Sequence, residues 1–326
     1  MNGLSLAIYW IGAVLINDAQ DMQEKFTLFS DMVVFSSYAM QVVMSFMMLV
    51  MIFIMLPRAS VAAKRILEVL DTEPSIEDGT RDTFPVMKDG EVEFKDVSFK
   101  YPDAEEYVLE HISFSAKKGE TIAFIGATGC GKSTAINLIP RFYDATEGEV
   151  FVDGVNVKEY TQEALHNKIG YVSQKAILFS GTIADNVAYG ENGKAPATQD
   201  DIAMAVKVAQ ASEFVEKKDQ GYDGYVAQGG SNFSGGQKQR LSIARAIARQ
   251  PEILIFDDSF SALDYKTDRI LREALRKECK DATKIIVAQR IGTIRDADKI
   301  IVLDDGQIAG MGTHDELMKN CEVYQE

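Results

Sequence analysis

The sequence is poor in cysteine and in positive charge, and each shortage excludes a class of protein. Its three cysteines, Cys130, Cys279 and Cys321, lie far apart without a CxxC pair, which argues against a disulfide framework and a thiolate metal site. Lys and Arg number 34 against 49 Asp and Glu, for a formal net charge of -15. Because binding to phosphate backbones needs clustered basic residues, we expect no nucleic acid partner. A 326-residue chain with 46% hydrophobic residues has enough apolar material for a packed core, which excludes disorder as its main state.

A long stretch near the beginning of the chain carries no charge. It runs from Met32 to Pro57, and at about 1.5 Å per residue a helix of that length exceeds a hydrocarbon core of about 30 Å. We predict a membrane-spanning helix over residues 32–57 that continues to about residue 70. A buried helix of a soluble protein is the alternative interpretation.

A shorter apolar run covers residues 3–16, too few to cross a bilayer. We interpret it as part of a membrane helix in a chain truncated at its N-terminus. A signal peptide is the alternative, but no Lys or Arg precedes Lys25. Acidic residues dominate between the two runs, whereas Arg58, Lys64 and Arg65 follow the second. By the positive-inside rule, everything after Arg58 is expected to be cytoplasmic.

Six methionines of the predicted membrane helix fall at helical spacing on one face, while Phe and Val side chains occupy the other. We expect the methionine face to point inward. Two interpretations remain open: ordinary helix packing, or flexible thioethers that line a promiscuous cavity. The stripe consists of Met40, Met44, Met47, Met48, Met51 and Met55.

The chain after the membrane segment divides into a linker and a globular domain. The acidic, proline-containing residues 71–89 indicate a linker. From residue 90 onward, alternating apolar residues predict antiparallel strands, and later apolar runs alternate with helical stretches. This order is typical of an α/β domain, here expected over residues 90–326. No internal repeat appears.

The most specific motif follows the buried-strand run Thr121–Ile125 and precedes a helix. It matches GxxxxGK[ST], the pattern of a loop that binds a nucleotide phosphate chain. The glycines let backbone N–H groups surround phosphates, Lys132 can reach the β and γ phosphates, and the Ser133 hydroxyl can bind Mg²⁺. The motif comprises Gly126, Ala127, Thr128, Gly129, Cys130, Gly131, Lys132, Ser133 and Thr134.

Two weaker patterns suggest further parts of a nucleotide site. The apolar run 253–256 ends in Asp257 and Asp258, and a carboxylate at a strand end suits Mg²⁺. Ser234, followed three residues later by Gln237 before a helical run, is a capping box. A cap need not be a site, but Gly235 and Gly236 within it would let a phosphate from another chain approach the helix N-terminus.

Together these motifs resemble the ATP-binding cassette (ABC) transporters, in particular exporter half-transporters with a membrane domain ahead of the nucleotide-binding domain. The loop 126–134 is similar to the family's Walker A motif, and Asp257 to its Walker B aspartate. Residues 233–237 resemble the signature, Tyr101 the aromatic residue that stacks on adenine, Gln174 the Q-loop, and residues 261–264, ending in Asp264, the D-loop.

The resemblance implies a fold and a set of partners. The fold is a membrane α-helical segment plus an α/β P-loop NTPase domain with an antiparallel β subdomain and a helical subdomain over about 175–245. The implied cofactors are ATP and Mg²⁺, the latter held by Ser133, Gln174 and Asp257. The implied partners are membrane lipid, a second half-transporter and a transported small molecule, lipid or peptide. The full-length protein is expected to be multi-pass in the plasma membrane, with a cytoplasmic nucleotide-binding domain and ATPase activity coupled to transport.

Three positions depart from the family pattern. Asp258 stands where the family has a catalytic Glu, and Gln289 where it has the switch His. Gln289 can bond to a γ-phosphate but cannot carry a proton, and the sequence's three histidines, His111, His166 and His314, match other positions. Gln228 replaces an acidic residue before the signature, which puts its contact with the membrane domain in doubt. We therefore expect the site of Lys132, Asp258 and Gln289 to bind ATP and hydrolyse it slowly, as in the degenerate half of a heterodimeric exporter.

Two other functions share some of these features. A soluble ABC ATPase would have the nucleotide motifs but not the uncharged residues 32–57. A nucleotide-gated regulatory module that never hydrolyses ATP would share both the membrane helix and the two substitutions.

Overall fold

The computed structural model describes residues 2–82, 89–102 and 104–325. The chain forms two compact units, Met1–Ser75 and Ile76–Glu326, which are described separately. The first unit consists of helices α1 (Asn2–Asp18) and α2 (Met22–Leu70).

The second helix, α2, is long enough and apolar enough to cross a membrane, and it is the one helix of the described residues that meets both conditions. It has 49 residues, continues through Pro57, and buries none of its side chains within the unit. The predicted span 32–57 lies inside α2, and the shorter predicted helix 3–16 lies inside α1. Such an apolar helix needs a nonpolar environment to cover it.

The second unit is an α/β domain. In chain order, its elements are β1 (Val92–Phe99), β2 (Leu109–Ala116), β3 (Thr121–Ile125), α3 (Lys132–Asn137), β4 (Glu147–Val152), β5 (Val155–Asn156), α4 (Gln162–Lys168), β6 (Ile169–Val172), β7 (Gly181–Thr182), α5 (Ile183–Val187), α6 (Gln199–Val208), α7 (Ser212–Val215), β8 (Tyr225–Val226), α8 (Gly235–Ala248), β9 (Ile253–Asp257), α9 (Tyr265–Glu278), β10 (Thr283–Val287), α10 (Ile291–Ile294), β11 (Lys299–Asp304), β12 (Gln307–Gly312), α11 (His314–Asn320) and α12 (Glu322–Gln325).

Two of the three sheets among the described residues contain most of the strands, and the third consists of β7 and β8 alone. The larger has the strand order β12-β11-β3-β10-β9-β6 and is parallel except for β12. Strands β9 and β10 are buried along their whole length, as expected of parallel strands covered on both faces. The smaller, antiparallel sheet has the order β2-β1-β4-β5, as the alternating residues after position 90 predict.

The strand order decides where the site lies. Strand β9 lies between β10 and β6, and β10 lies between β9 and β3. The carboxyl ends of these four parallel strands therefore meet at one edge, where ligands of such sheets bind. The helices α5 to α8, which occupy residues 183–248, form most of the region predicted as a helical subdomain over 175–245.

The predicted linker, residues 71–89, contains no helix or strand in its described part, and residues 83–88 lie outside the described residues. Its residues from Ile76 onward nevertheless belong to the second unit, and two of them are hydrogen-bonded to it. The Arg81 N–H donates to the Glu159 carbonyl at 3.1 Å, the Gly79 N–H donates to the Tyr160 carbonyl at 2.9 Å, and the Arg81 and Glu159 side chains form an ion pair. A Cβ at Gly79 would collide with the Glu159 backbone, so only glycine allows this approach.

Candidate ATP-binding site

The loop between β3 and α3 has the backbone shape of a phosphate-binding loop. Gly129 and Gly131 have φ angles of +91° and +97°, in the region that side chains rarely adopt. A Cβ at Gly131 would lie 2.9 Å from the Val108 carbonyl oxygen, whereas nothing lies within 4 Å of one at Gly129. Gly131 is therefore required by packing, whereas Gly129 leaves open space for a ligand.

Lys132 is folded back onto this loop. Its Nζ donates to the carbonyl oxygens of Gly126 at 2.8 Å and Ala127 at 2.6 Å, and the side chain is buried. The ammonium group thus lies inside the loop, where it could form an ion pair with a bound anion. The phosphates of ATP would replace the two carbonyl acceptors.

Ser133 and Asp257 are in direct contact. The Ser133 hydroxyl donates to Asp257 Oδ1 at 2.7 Å, which joins the start of α3 to the end of β9. These oxygens suit Mg²⁺, which is held by one or two protein oxygens together with phosphates and water. No cluster of three His, Cys, Asp or Glu side chains that could hold a metal alone exists among the described residues, so a nucleotide would have to supply the other ligands.

Tyr101, the predicted adenine-stacking residue, lies beside the phosphate loop. Its hydroxyl is 3.1 Å from the Thr134 Oγ1, and its ring packs edge-on against Phe99 and Tyr143. The structure thus places this aromatic side chain at the end of the loop where a nucleoside would extend. Its stacking on adenine stays a prediction.

The side chains of Gln174 and Gln289, from the ends of two neighbouring strands, meet at Asp258. Its Oδ2 accepts a hydrogen bond from Gln289 Nε2 at 2.9 Å and one from Gln174 Nε2 at 3.3 Å. Asp258 is buried and has a φ of +44°, a conformation that for a non-glycine residue often marks a functional site. Burial raises the pKa of this carboxyl, while the hydrogen bond from Gln174 acts in the opposite direction.

Gln174 therefore lies beside Asp258. Its amide nitrogen bonds to Asp258, which leaves the amide oxygen as the end that could bind a metal. Its predicted role as a Mg²⁺ ligand stays a prediction.

The signature residues are arranged as the capping box that the sequence predicts. The Ser234 side chain accepts from the Gln237 N–H at 3.3 Å, and the Gln237 side chain accepts from the Ser234 N–H at 3.0 Å. Ser234 and Gly235 are exposed, and nothing lies within 4 Å of a Cβ built at Gly235. The N-terminus of α8 is thus open on the outside, with Phe233 buried beneath it.

The D-loop contacts the signature and begins a helix. A Cβ at Gly236 would lie 3.2 Å from the Ala262 carbonyl oxygen. Asp264 is the N-cap of α9, and its side chain accepts from the Thr267 N–H at 3.0 Å. That hydrogen bond lowers the pKa of Asp264, so its carboxylate is charged at neutral pH.

Sequence reasoning missed two residues beside Ser133 and Asp257. The Tyr171 hydroxyl on β6 donates to Asn137 Oδ1 at 2.9 Å and lies 3.4 Å from Asp257 Oδ2. Burial, and then the nearby Asp257 charge, raise the pKa of Tyr171, which keeps the hydroxyl protonated. The available signal was its position three residues before Gln174 on a buried strand.

The domain also matches known proteins. Residues 109–261 match the family model of the ABC transporter. These residues form an ABC transporter ATP-binding domain. The solved structure of a bacterial Atm1-family ABC exporter with ATP bound aligns with a TM-score of 0.79 and 34% identity, over 90% of this chain and 51% of that one. The predicted fold class is thereby confirmed: an ABC ATP-binding domain joined to a helical membrane-type segment.

Relatives extend the similarity to the whole chain. An uncharacterized ABC transporter ATP-binding protein of Mycobacterium tuberculosis is 45% identical over 100% of this chain and 55% of its own length. The ABC transporter ATP-binding protein YfiB of Bacillus subtilis is 41% identical over 100% of this chain and 54% of its own. Multidrug resistance protein 3 of Entamoeba histolytica is 40% identical over 97% of this chain and 25% of its own. The chain thus spans about half the length of the first two relatives and a quarter of the third.

Proposed function

We propose that this chain is the ATP-binding part, with the adjoining membrane helix, of an ABC exporter subunit that moves a small molecule, lipid or peptide across the plasma membrane. The ATP-binding domain, the apolar helix α2 and the similarity to an Atm1-family exporter support this proposal. The basic residues Arg58, Lys64 and Arg65 after the uncharged stretch favour a cytoplasmic location for the ATP-binding domain.

We further propose that the chain's own ATP site binds nucleotide but hydrolyses it slowly. The observation that carries this proposal is the contact of Gln289 with Asp258 at 2.9 Å. A general base must reach the attacking water, and Asp is one methylene shorter than the Glu that resembling proteins have there. In addition, one oxygen of Asp258 already accepts hydrogen bonds from Gln289 and Gln174.

The ATP-binding residues are intact, in contrast to the hydrolytic ones. Lys132 lies inside the phosphate loop, and the Ser133 hydroxyl lies against Asp257 Oδ1, so that both residues offer oxygens to one Mg²⁺. The exposed Ser234 and Gly235 are available to the nucleotide of a second half-transporter. This division of properties favours a heterodimer in which the partner's ATP site does most of the hydrolysis.

The proposal is tested with the full-length subunit co-purified with its partner. The partner's catalytic carboxylate is neutralised, and ATP binding and steady-state hydrolysis are then measured. We expect ATP to remain bound at this chain's site while turnover falls close to background, because loss of a positioned base typically costs about 10²- to 10⁴-fold. Turnover that stays near that of the unmodified pair would contradict a degenerate site, and purification as a homodimer would contradict the heterodimer.

A second candidate function is a nucleotide-gated regulatory module that never depends on hydrolysis. The same contact between Gln289 and Asp258 favours it, since such a module needs binding without turnover. Vesicles that contain the complete assembly distinguish the two functions. ATP-dependent accumulation against a gradient supports the exporter, whereas passive flux that ATP binding alone switches on supports the regulatory module.

A further inference from the structure

A partly buried tyrosine links the Walker A helix to the Walker B carboxylate. The Tyr171 hydroxyl, on β6, is 2.9 Å from Asn137 Oδ1 on α3 and 3.4 Å from Asp257 Oδ2 at the end of β9. Three separate elements of the ATP site therefore meet at one hydroxyl group.

The two oxygens of Asp257 have different partners. Oδ1 accepts the hydrogen bond from Ser133 at 2.7 Å, and Ser133 can keep that bond while its oxygen lone pair faces a cation. Oδ2 is the oxygen nearer Tyr171. With Oδ1 fixed by Ser133, a contact at Oδ2 determines how far the carboxylate plane can rotate.

We propose that Tyr171 is a positioning residue for Mg²⁺ that orients the Asp257 carboxylate through Oδ2. Asn137 competes with Asp257 for the proton of the Tyr171 hydroxyl. This inference rests on the proposed ATP-binding function.

A tyrosine hydroxyl has a single proton to donate, so Asn137 and Asp257 compete for it. The shorter distance to Asn137 shows that this residue has the larger share. Removal of the hydroxyl should loosen Asp257, whereas removal of the Asn137 amide should free the proton for Asp257. The two variants are therefore expected to have opposite effects on the metal.

The experiment uses the 326-residue chain in lipid nanodiscs with fluorescently labelled ATP as the probe. Affinity is measured in EDTA and then with increasing Mg²⁺. For Tyr171→Phe we expect unchanged affinity in EDTA and a higher Mg²⁺ concentration at half of the maximal effect. The increase should be at most about tenfold, the scale of one complete hydrogen bond to a charged group. For Asn137→Ala we expect this Mg²⁺ concentration to fall below that of the unmodified chain. Mn²⁺ binding by electron paramagnetic resonance, in the presence of ATP, should follow the same order.

Tyr160→Phe is the matched control, because it removes a buried tyrosine hydroxyl whose proton goes to the Val152 carbonyl, outside the ATP site. Its Mg²⁺ dependence should not change. The ring of Tyr171, which packs against Phe142 at 5.4 Å, is retained in Tyr171→Phe, so the variant tests the hydroxyl alone.

The outcomes are separable. If Tyr171→Phe binds ATP with the same Mg²⁺ dependence as the unmodified chain, the inference is overturned and the proposed function stands. The same holds if Tyr171→Phe and Asn137→Ala weaken Mg²⁺ binding equally, since that indicates a merely structural role. A chain that binds no ATP in either condition would overturn the proposed function together with the inference.

Discussion

The Gln289 side chain donates a hydrogen bond to Asp258, the residue at the position of the catalytic Glu in similar proteins. Its Nε2 lies 2.9 Å from Asp258 Oδ2, and the two residues come from the ends of the neighbouring strands β10 and β9. Two of the three residues that depart from the family pattern are therefore in contact with each other. A change at either position alters the environment of the other, so their effects on hydrolysis should not be additive.

The exposed signature should act on the ATP of a partner subunit. Gly235→Val is expected to abolish nearly all hydrolysis by the heterodimer, because a branched side chain would block phosphate approach to the N-terminus of α8. Nothing lies within 4 Å of a Cβ at this position, so the chain itself should fold normally and keep its own ATP affinity. ATP turnover of the purified heterodimer measures the effect.

Ser231→Val is the control for this prediction, since Ser231 is exposed and precedes the signature. It should leave turnover unchanged. Full turnover with Gly235→Val would show that the signature does not contact the partner's nucleotide.

A partly buried ion cluster should contribute to the stability of the ATP-binding domain. Lys168 Nζ lies 2.8 Å from both Asp153 Oδ2 and Glu252 Oε2. Lys168→Met leaves two carboxylates without their cation, and we expect it to lower the free energy of unfolding by about 1–2 kcal/mol, between the values typical of exposed and of fully buried pairs. Adding Asp153→Asn should restore part of the loss. Urea unfolding of the single and double variants measures this coupling, and equal loss in both would contradict it.

The same cluster predicts a pH dependence. Burial opposes the charge of Lys168, but the hydrogen bonds to Asp153 and Glu252 outweigh it and raise the pKa of Lys168 above its usual value. A raised lysine pKa stabilises the folded state fully below the unfolded pKa of about 10.4, and this stabilisation is lost as the pH rises further. The unmodified protein should therefore lose stability above about pH 10 more steeply than Lys168→Met. Parallel curves for the two proteins would refute this role of Lys168.

Matched arginine substitutions in α2 test which face meets lipid. Phe46 and Met44 lie at nearly the same depth on opposite faces of this helix. An arginine that faces lipid near the membrane centre costs about 2.5–3.5 kcal/mol on insertion scales. We expect Phe46→Arg to reduce membrane insertion of the full-length protein more than Met44→Arg does, as protease protection would show. A larger loss with Met44→Arg would mean that the methionine face meets lipid.

Much of the fold followed from the sequence because local signals agreed with the tertiary structure. The buried run 121–125, the glycine-rich loop and the capping box at Ser234 are each formed by residues close together in the chain, and the structure contains all three. The contacts of Asp258 with Gln174 and Gln289 could not be predicted in the same way. They depend on the order β10-β9-β6, which no short segment encodes.

The missed residues have the same explanation. Tyr171, Asn137 and Asp257 are brought together by packing of β6, α3 and β9, although more than 30 positions separate Tyr171 from Asn137. The attachment of Gly79 and Arg81 to residues 159–160 also joins distant positions. The linker was predicted from its composition alone. Acidic residues and proline carry no information about a pairing partner, so these contacts could not be predicted.

Hydrolysis at this chain's own site should return when both unusual residues are replaced. Asp258→Glu would supply the methylene that a base needs to reach the attacking water, and Gln289→His would remove the amide that now holds Asp258. The buried position of Asp258 and its contact with Gln174 mean that a longer acid alone would still face two amide donors. In a heterodimer with the partner's catalytic carboxylate neutralised, we expect the double variant to raise ATP turnover by about 10²-fold or more, and each single variant to do much less. ATP affinity, measured alongside, should stay constant, because Lys132 and Ser133 are unchanged. Background turnover in the double variant despite bound ATP would mean that Asp258 and Gln289 are not the cause of slow hydrolysis, and the partner's signature facing this site would then be the next position to vary.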